Sequence, residues 1–322
     1  MKLDYIIEKI KNDLINNKLY FNHFDLLIVG ENTSGKSKII KEVVKKLKEN
    51  SVLVYFIDSC NRNIITKRSE LFDTFEKLDI KLVVEERLKD QNFNKIDIFD
   101  GDSGTEIALN EILQNFELYK ELYKEILNIK LEKKKEEIEG LDDLIDEEEI
   151  YVDGENLNIA SDSQHAMMRI LMEVNFAYQR GCKIIFIDEF DINLDYKNSS
   201  NFINKLKEKY HDARFVIAAH SIYTVLNIES FDVLKILKKY NIVDENICIN
   251  FDSRDLDNVE IIDRKIFGSS EQDNEIDVLL SETLKSILTG IEINSHVKKR
   301  IEDLTNLSIR QKVVYEYIKE RL

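Results

Sequence analysis

The chain has 322 residues, 43% of them hydrophobic and 34% charged, with a formal net charge of −16. That length and apolar content support one large folded domain or two small ones, and the acidic balance sets the long-range field against non-specific nucleic-acid binding. No apolar run approaches the ~18 residues of a membrane helix, and Cys60, Cys182 and Cys248 are widely spaced with no C-x-x-C pair, which points to a reducing cytoplasm and no structural zinc.

The first stretch, MKLDYIIEKIKNDL (1–14), has the spacing of an amphipathic helix, and its acidic residues exclude a signal peptide. FDLLIV (24–29) reads as a buried strand. KSKIIKEVVKKLKEN (36–50) puts Ile39, Ile40, Val43, Val44 and Leu47 on one helical face and lysines on the other. Between strand and helix lies GENTSGKS (30–37), which matches G-x-x-x-x-G-K-[ST] in the setting that a P-loop requires. In a chain with only nine glycines, two at this spacing followed by Lys-Ser form a specific signal. The pattern assigns Gly30, Glu31, Asn32, Thr33, Ser34, Gly35, Lys36, Ser37 and Lys38 to a phosphate cradle. Gly30 and Gly35 let successive backbone N–H groups point inward, and the helix start adds its positive end. Lys36 is placed to reach the β- and γ-phosphates and the Ser37 hydroxyl to sit on Mg²⁺.

VLVYFID (52–58) is a second buried strand, followed by the polar loop SCNRN (59–63) at the strand edge where ligands bind in open α/β sheets. From about residue 68 the pattern is helical. Leu109, Ile112, Phe116, Tyr119, Tyr123 and Ile126 form a coiled-coil-like seam shorter than three heptads, which makes a hairpin or packs on the body. EGLDDLIDEEE (139–149) reads as an acidic loop, and the basic runs KLEKKK (130–135) and VKKR (297–300) read as solvated helix faces. Strand signals return at CKIIFI (182–187) and RFVIAA (214–219), with a helix near 197–210 between them, and again at FDVLKIL (231–237) and ICINFD (247–252). The expected class is α/β: a P-loop NTPase core with a parallel sheet, formed by 1–67 and 151–255. A helical insertion (68–150) interrupts it and a helical segment (256–322) follows.

IIFIDEFDINLD (184–195) is an apolar run ending in Asp-Glu, the Walker B signal of a P-loop protein. There Asp188 holds Mg²⁺ through water and Glu189 polarises the attacking water as general base. A hydrolytic Glu at that position speaks against a small-molecule kinase. With a large insertion between the two motifs, the chain resembles the ABC-type ATPases, including their SMC, DNA-repair and OLD-like branches. The resemblance implies that Asn193 and Asp195 lie on a D-loop at the dimer contact. It also makes His220, at the end of RFVIAAHS, the switch histidine beside the γ-phosphate and attacking water, a second catalytic residue. IASDSQHAMMRIL (159–171) matches the family signature at Ser161 and Gln164, but Asp162 and Ser163 stand where glycines are expected. Ser161-x-x-Gln164 is equally a capping box at a helix start. Asn61 is a substitute for the family's glutamine-loop residue, and Tyr20 or Phe21 for its adenine-stacking aromatic.

The implied activity is that of a cytoplasmic ATP-binding and ATP-hydrolysing switch with Mg²⁺ as cofactor, acting as a homo-oligomer, on a separate effector protein, or both. Small bacterial proteins of this resemblance often sit in antiphage or toxin-like modules. Two alternatives stay open. One is a DNA-maintenance ATPase of SMC or repair type, which needs a long coiled coil or a basic surface. The other is a nucleotide-binding scaffold without efficient turnover, which Asp162 favours and Glu189 and His220 oppose.

Overall fold

Apolar runs rich in β-branched and aromatic residues form most strands of the main sheet. The computed structural model describes residues 2–30, 33–59, 62–64, 79–99, 107–136, 147–194, 198–237, 247–256 and 258–262, and within 263–322 it describes 266, 276, 279–280, 283–284, 286–287, 293–305, 307, 309–319 and 321. Glu31, Asn32, Asn61 and Asp195 lie outside the described residues. In chain order the elements are α1 (Leu3–Ile15), β1 (Asp25–Gly30), α2 (Lys36–Glu49), β2 (Tyr55–Ile57), α3 (Ile80–Leu88), α4 (Ile107–Gln114), α5 (Phe116–Leu127), β3 (Leu131–Glu136), β4 (Glu147–Val152), β5 (Glu155–Asn156), α6 (Asp162–Gln179), β6 (Ile184–Ile187), α7 (Ser199–Lys209), β7 (Arg214–Ala219), α8 (Ile222–Val225), β8 (Phe231–Leu237), β9 (Ile247–Asp252), α9 (Val259–Ile262), α10 (Ser295–Glu302) and α11 (Ile309–Lys319).

The main sheet has the order β2-β6-β7-β1-β8-β9. All neighbours pair in parallel except β9, which closes the edge antiparallel to β8. The mixed α/β architecture with a mostly parallel sheet is therefore the one expected from the sequence. β1, β7 and the first six residues of β8 are buried throughout, as suits strands covered on both faces. Because β1, β2, β6 and β7 run the same way, the chain leaves all four at one edge. At the opposite edge, polar clamps hold the approach to β1. Arg214 donates to the carbonyls of Asp13, Lys18 and Phe24. One carboxylate oxygen of the buried Asp232 accepts the backbone N–H groups of Phe21, Asn22 and His23 at 2.9–3.0 Å.

α6 is buried on nearly every side, polar residues included. Glu173 accepts from Arg87 at 2.7 and 3.1 Å, from Arg169 at 2.9 Å and from the Tyr55 hydroxyl at 2.9 Å. Arg169 also pairs with Asp97 at 2.8 Å, and Arg87 lies 3.5 Å from Asp58. All these groups are buried. Burial alone would raise the Glu173 carboxyl, but Arg87 and Arg169 overcome it and hold it at about 2. The network ties α3, α6, β2 and the 92–99 turn into one block.

The 109–126 seam packs on the body, one of the two arrangements expected, and does so as two helices, α4 and α5, that meet at Asn115. Tyr123 donates to the carbonyl of Met168 in α6, and Asn175 reaches the Tyr119 hydroxyl. KLEKKK is a strand rather than a helix face. β3, β4 and β5 form an antiparallel sheet in which Lys133 faces Ile150 and Lys134 faces Glu149. Most of the acidic stretch 139–149 lies outside the described residues, and its last three enter β4.

Residues Met1–Ile262 form one unit and Asp263–Leu322 a second. The second has its own core, in which Leu279, Leu280, Ile301 and Ile318 are buried and Val297, Leu304 and Val314 pack against them.

Glu173→Gln leaves two buried guanidinium groups without their shared anion. Removing one partner of such a set costs about 3–5 kcal/mol, so the denaturant midpoint falls accordingly. The lowered carboxyl contributes stability that is complete above pH 4.5, its ordinary value, and is lost as pH falls toward about 2. The variant therefore also shows a shallower acid limb in chemical denaturation. Unchanged stability and an unchanged acid limb would contradict the role given to the network.

Candidate functional site

The chain segments that leave β1, β2, β6 and β7 converge at the C-terminal edge of the sheet. Such an edge is where open α/β folds bind ligands. A cleft of about 670 Å³ lies there, lined by the 33–38 loop and helix start, by Glu189, Asp191 and Ile192 after β6, and by His220 and Ser221 after β7. A second cleft of about 690 Å³, at the α4–α5 junction beside β3, contains Phe116, Lys120, Glu132 and Lys133 and no comparable convergence of elements.

The loop conformation depends on its glycines. A side chain at Gly30 would place Cβ 2.7 Å from the Ile236 carbonyl oxygen and 2.9 Å from Ser34 Oγ. Gly35 caps α2 with φ 105°, a region that favours glycine, and Thr33 is also left-handed at 64°. α2 then starts with the buried Lys36, whose ammonium donates to the Gly30 carbonyl at 2.7 Å and lies 3.1 Å from His220 Nδ1. That contact makes Nδ1 an acceptor and leaves the proton on Nε2.

Asp188 ends β6 with no solvent exposure. Its carboxylate accepts from Asn94 at 2.8 Å, from the Glu189 backbone N–H at 3.1 Å, and from the Ser37 hydroxyl. Burial pushes its carboxyl up, against the pull of the Asn94 and Ser37 hydrogen bonds. Glu189 is left-handed, with φ 46°, a conformation costing roughly 1–2 kcal/mol for a residue with a Cβ. Its Oε1 lies 3.7 Å from His220 Nε2, longer than a direct hydrogen bond. His220, with help from Ser59 and Arg62, holds the Glu189 carboxyl below the usual carboxylate range.

Three residues of this site carry no motif signal. Asn94 donates to Asp188 and accepts from the Ser59 N–H at 3.1 Å. Arg62 is buried, and its guanidinium donates to four main-chain carbonyls around the ends of β2 and β6. Asp191 accepts from the N–H groups of His220 and Ser221 and from the Thr224 hydroxyl, which fixes the turn after β7. Asp191 was visible inside DEFDINLD and Arg62 inside SCNRN, but only their long-range contacts give them work. For Asn94 the sequence offers no signal.

The structure thus brings Lys36, Ser37, Asp188, Glu189 and His220 together. It does not bring Ser161, Asp162 or Gln164 to this cleft. They start α6 as a capping box, in which Gln164 Oε1 accepts from the Ser161 N–H at 3.0 Å and the Gln164 N–H donates to Ser161 Oγ at 3.2 Å. Asn193 is exposed, with φ 63°. Tyr20 and Phe21 are corrected as base-stacking candidates. Residues just ahead of β1 stand at the opposite sheet edge from Gly30, and Tyr20 is buried beneath Arg214, 4.8 Å from its ring centre.

The donor set suits an anion beside a hard cation. The glycine cradle, the α2 start and Lys36 suit phosphate oxygens. Ser37 and Asp188 offer the one or two oxygen ligands that Mg²⁺ takes from protein while keeping water and phosphate ligands. Among the described residues, no group of three or more His, Cys, Asp or Glu is arranged to hold a metal.

No protein-family model matches the chain, and no curated protein matches it. Among solved structures it is similar to an SMC head bound to the C-winged-helix domain of ScpA, with 15% identity, 71% of this chain and 90% of that chain covered, and a TM-score of 0.40. It is similar to the SMC head domain from Thermotoga maritima, with 13% identity, 71% and 91% covered, and a TM-score of 0.38. It is also similar to an inward-facing metal-chelate type ABC transporter, with 15% identity, 73% and 74% covered, and a TM-score of 0.33.

Proposed function

We propose that the protein is a cytoplasmic ATPase of ABC type in the SMC-like branch. The observation that carries this reading is the meeting, in one cleft, of a glycine-cradled Lys36, the Ser37–Asp188 pair and the Glu189–His220 pair. Magnesium-bound ATP, when present, supplies the phosphoryl bond to be cleaved. The 30–38 loop binds its phosphates through backbone N–H groups, and Lys36 pairs with their charge. Ser37 and Asp188 hold the cation, and Asn94 orients Asp188. Glu189 takes a proton from the attacking water as general base. His220 orients that water through Nε2–H, while Lys36 fixes its tautomer.

The proposal extends to a switch that acts on a separate partner protein, in a module of antiphage or toxin-like kind. Among the described residues no helix is long and apolar enough to cross a membrane. The DNA-maintenance reading gains no support from the 109–126 seam, which packs inward instead of extending as an arm. In this reading Asn193 and Asp195 remain dimer-contact candidates.

Lys36→Ala should abolish tight ATP binding with the fold intact, and Glu189→Gln should bind ATP but hydrolyse it at least about 100-fold more slowly, the lower end of general-base effects. Titration of a fluorescent ATP analogue and phosphate release measure the two. Unchanged affinity in the first or wild-type turnover in the second would overturn the assignment.

Self-assembly is weak in this reading, because Asp162 sits in the first turn of α6 and already answers the positive helix end that a partner's phosphate would need. Asp162→Gly should increase ATP-dependent dimerisation and turnover in sedimentation and phosphate-release assays. Tight wild-type closure on ATP, or no change in the variant, would mean that 161–164 is only a capped helix start.

A further inference from the structure

We propose that Arg62 is a positioning residue that holds the backbone of Glu189 in its left-handed conformation and thereby aims the Glu189 carboxylate into the cleft. The proposal rests on the reading of Glu189 as general base. The geometry that carries it is a set of main-chain acceptors gathered on one side chain. One terminal nitrogen of Arg62 donates to the carbonyls of Glu189 at 2.9 Å and Phe190 at 3.3 Å, and the other to Asp58 at 3.0 Å and to Asp188. Three consecutive carbonyls, 188 to 190, therefore turn toward a single guanidinium. An extended strand alternates its carbonyls, so this gathering needs a reversal in the middle, and Glu189 supplies it with φ 46°.

A glutamate does not adopt that conformation readily, and strain of this kind persists only where surrounding contacts over-determine it. Arg62 is such a contact. Its planar fork presents several donors at fixed angles, which a lysine ammonium cannot copy, and it is 5% exposed, so water does not compete for the same carbonyls. The segment carrying it is itself anchored to α6. The Ile64 N–H donates to His165 Nδ1 at 3.2 Å, and Arg169 reaches the Asn63 carbonyl at 3.4 Å. The consequence appears at the side chain: the Glu189 carboxylate lies beside His220 Nε2, at 3.7 Å, on the cleft wall. These Arg62 hydrogen bonds go to main-chain carbonyls, and through them it acts on Glu189.

The test uses the full chain with Arg62→Met, Arg62→Lys, Glu189→Gln and the double variant of Arg62→Met with Glu189→Gln. Loss of about an ångström of positioning costs on the order of 10²-fold in rate. Arg62→Met should therefore lower single-turnover phosphate release by about 10- to 100-fold, with ATP affinity within about threefold of wild type. Arg62→Lys should fall between Arg62→Met and wild type, and it stands in should Arg62→Met fail to fold. In the Glu189→Gln background, Arg62→Met should change the rate less than twofold, because the group it positions has already lost its function. An equal loss in both backgrounds, or a loss of ATP affinity in place of rate, would overturn the proposal. A crystal structure of the Arg62 variant separates it from the functional reading. Glu189 should leave the left-handed region, and an unchanged Glu189 backbone would overturn the proposal even if the protein hydrolysed no ATP. Wild-type turnover in Glu189→Gln would remove the general-base assignment and leave the Arg62 clamp to be judged on that structure.

Discussion

Burying the carboxylate of Asp188 at the end of β6 sets much of what surrounds it. A buried carboxylate is costly unless hydrogen bonds satisfy it, and here partners come from two distant stretches, Ser37 at the start of α2 and Asn94 in the turn after α3, and from the N–H of the next residue, Glu189. Meeting that demand brings the phosphate loop, the 89–99 turn and the β6 exit to one place. The 89–99 turn is held in turn by Asp97, which pairs with Arg169 of α6. Cleft and core are thus parts of one hydrogen-bonded system.

The core is unusual in placing Arg169, Glu173 and Asn175 inside its central helix. An apolar helix of equal volume would serve stability as well or better. What the polar set adds is direction. Arg87, Arg169 and Glu173 accept few arrangements, so α3, α6 and β2 have little freedom to slide against one another. In the proposed ATPase, Glu189, His220 and Lys36 must keep their spacing within fractions of an ångström, and main-chain contacts hold two of them: Arg62 beneath Glu189, Asp191 beneath His220.

Local signals were legible in the sequence and long-range ones were not. GENTSGKS and IIFIDEFD each contain their own logic, in which apolar strand, turn and charged end follow within a dozen residues. Lys36, Ser37, Asp188 and Glu189 could therefore be named before the fold, and His220 was named through the resemblance to ABC-type ATPases, whose switch histidine ends the next strand. The β3–β5 sheet escaped because LEKKKE has no apolar alternation. It is a strand because EEEIYV lies across from it, with Lys134 facing Glu149 and its ammonium 3.8 Å above the Tyr151 ring centre, and such cross-strand pairs cannot be read from one stretch. Asn94, Arg62 and Asp191 escaped for the same reason, since their partners lie 29 or more positions away or are main-chain carbonyls without a side-chain signature. The 109–126 seam was legible as packing on the body, but not the break at Asn115, because its spacing continues across that residue.

The central claim is that the Ser37–Asp188 pair marks a cation site beside a phosphate cradle. Its most direct test is a crystal structure of the chain grown with Mn²⁺ and a non-hydrolysable ATP analogue, read by anomalous scattering at the manganese edge. The account predicts one strong peak in contact with Ser37 Oγ, a water's distance from Asp188, with the analogue's phosphates enclosed by 30–38 and touched by Lys36. Manganese and phosphates bound elsewhere, or a cleft that takes up neither at saturating concentrations, would contradict it.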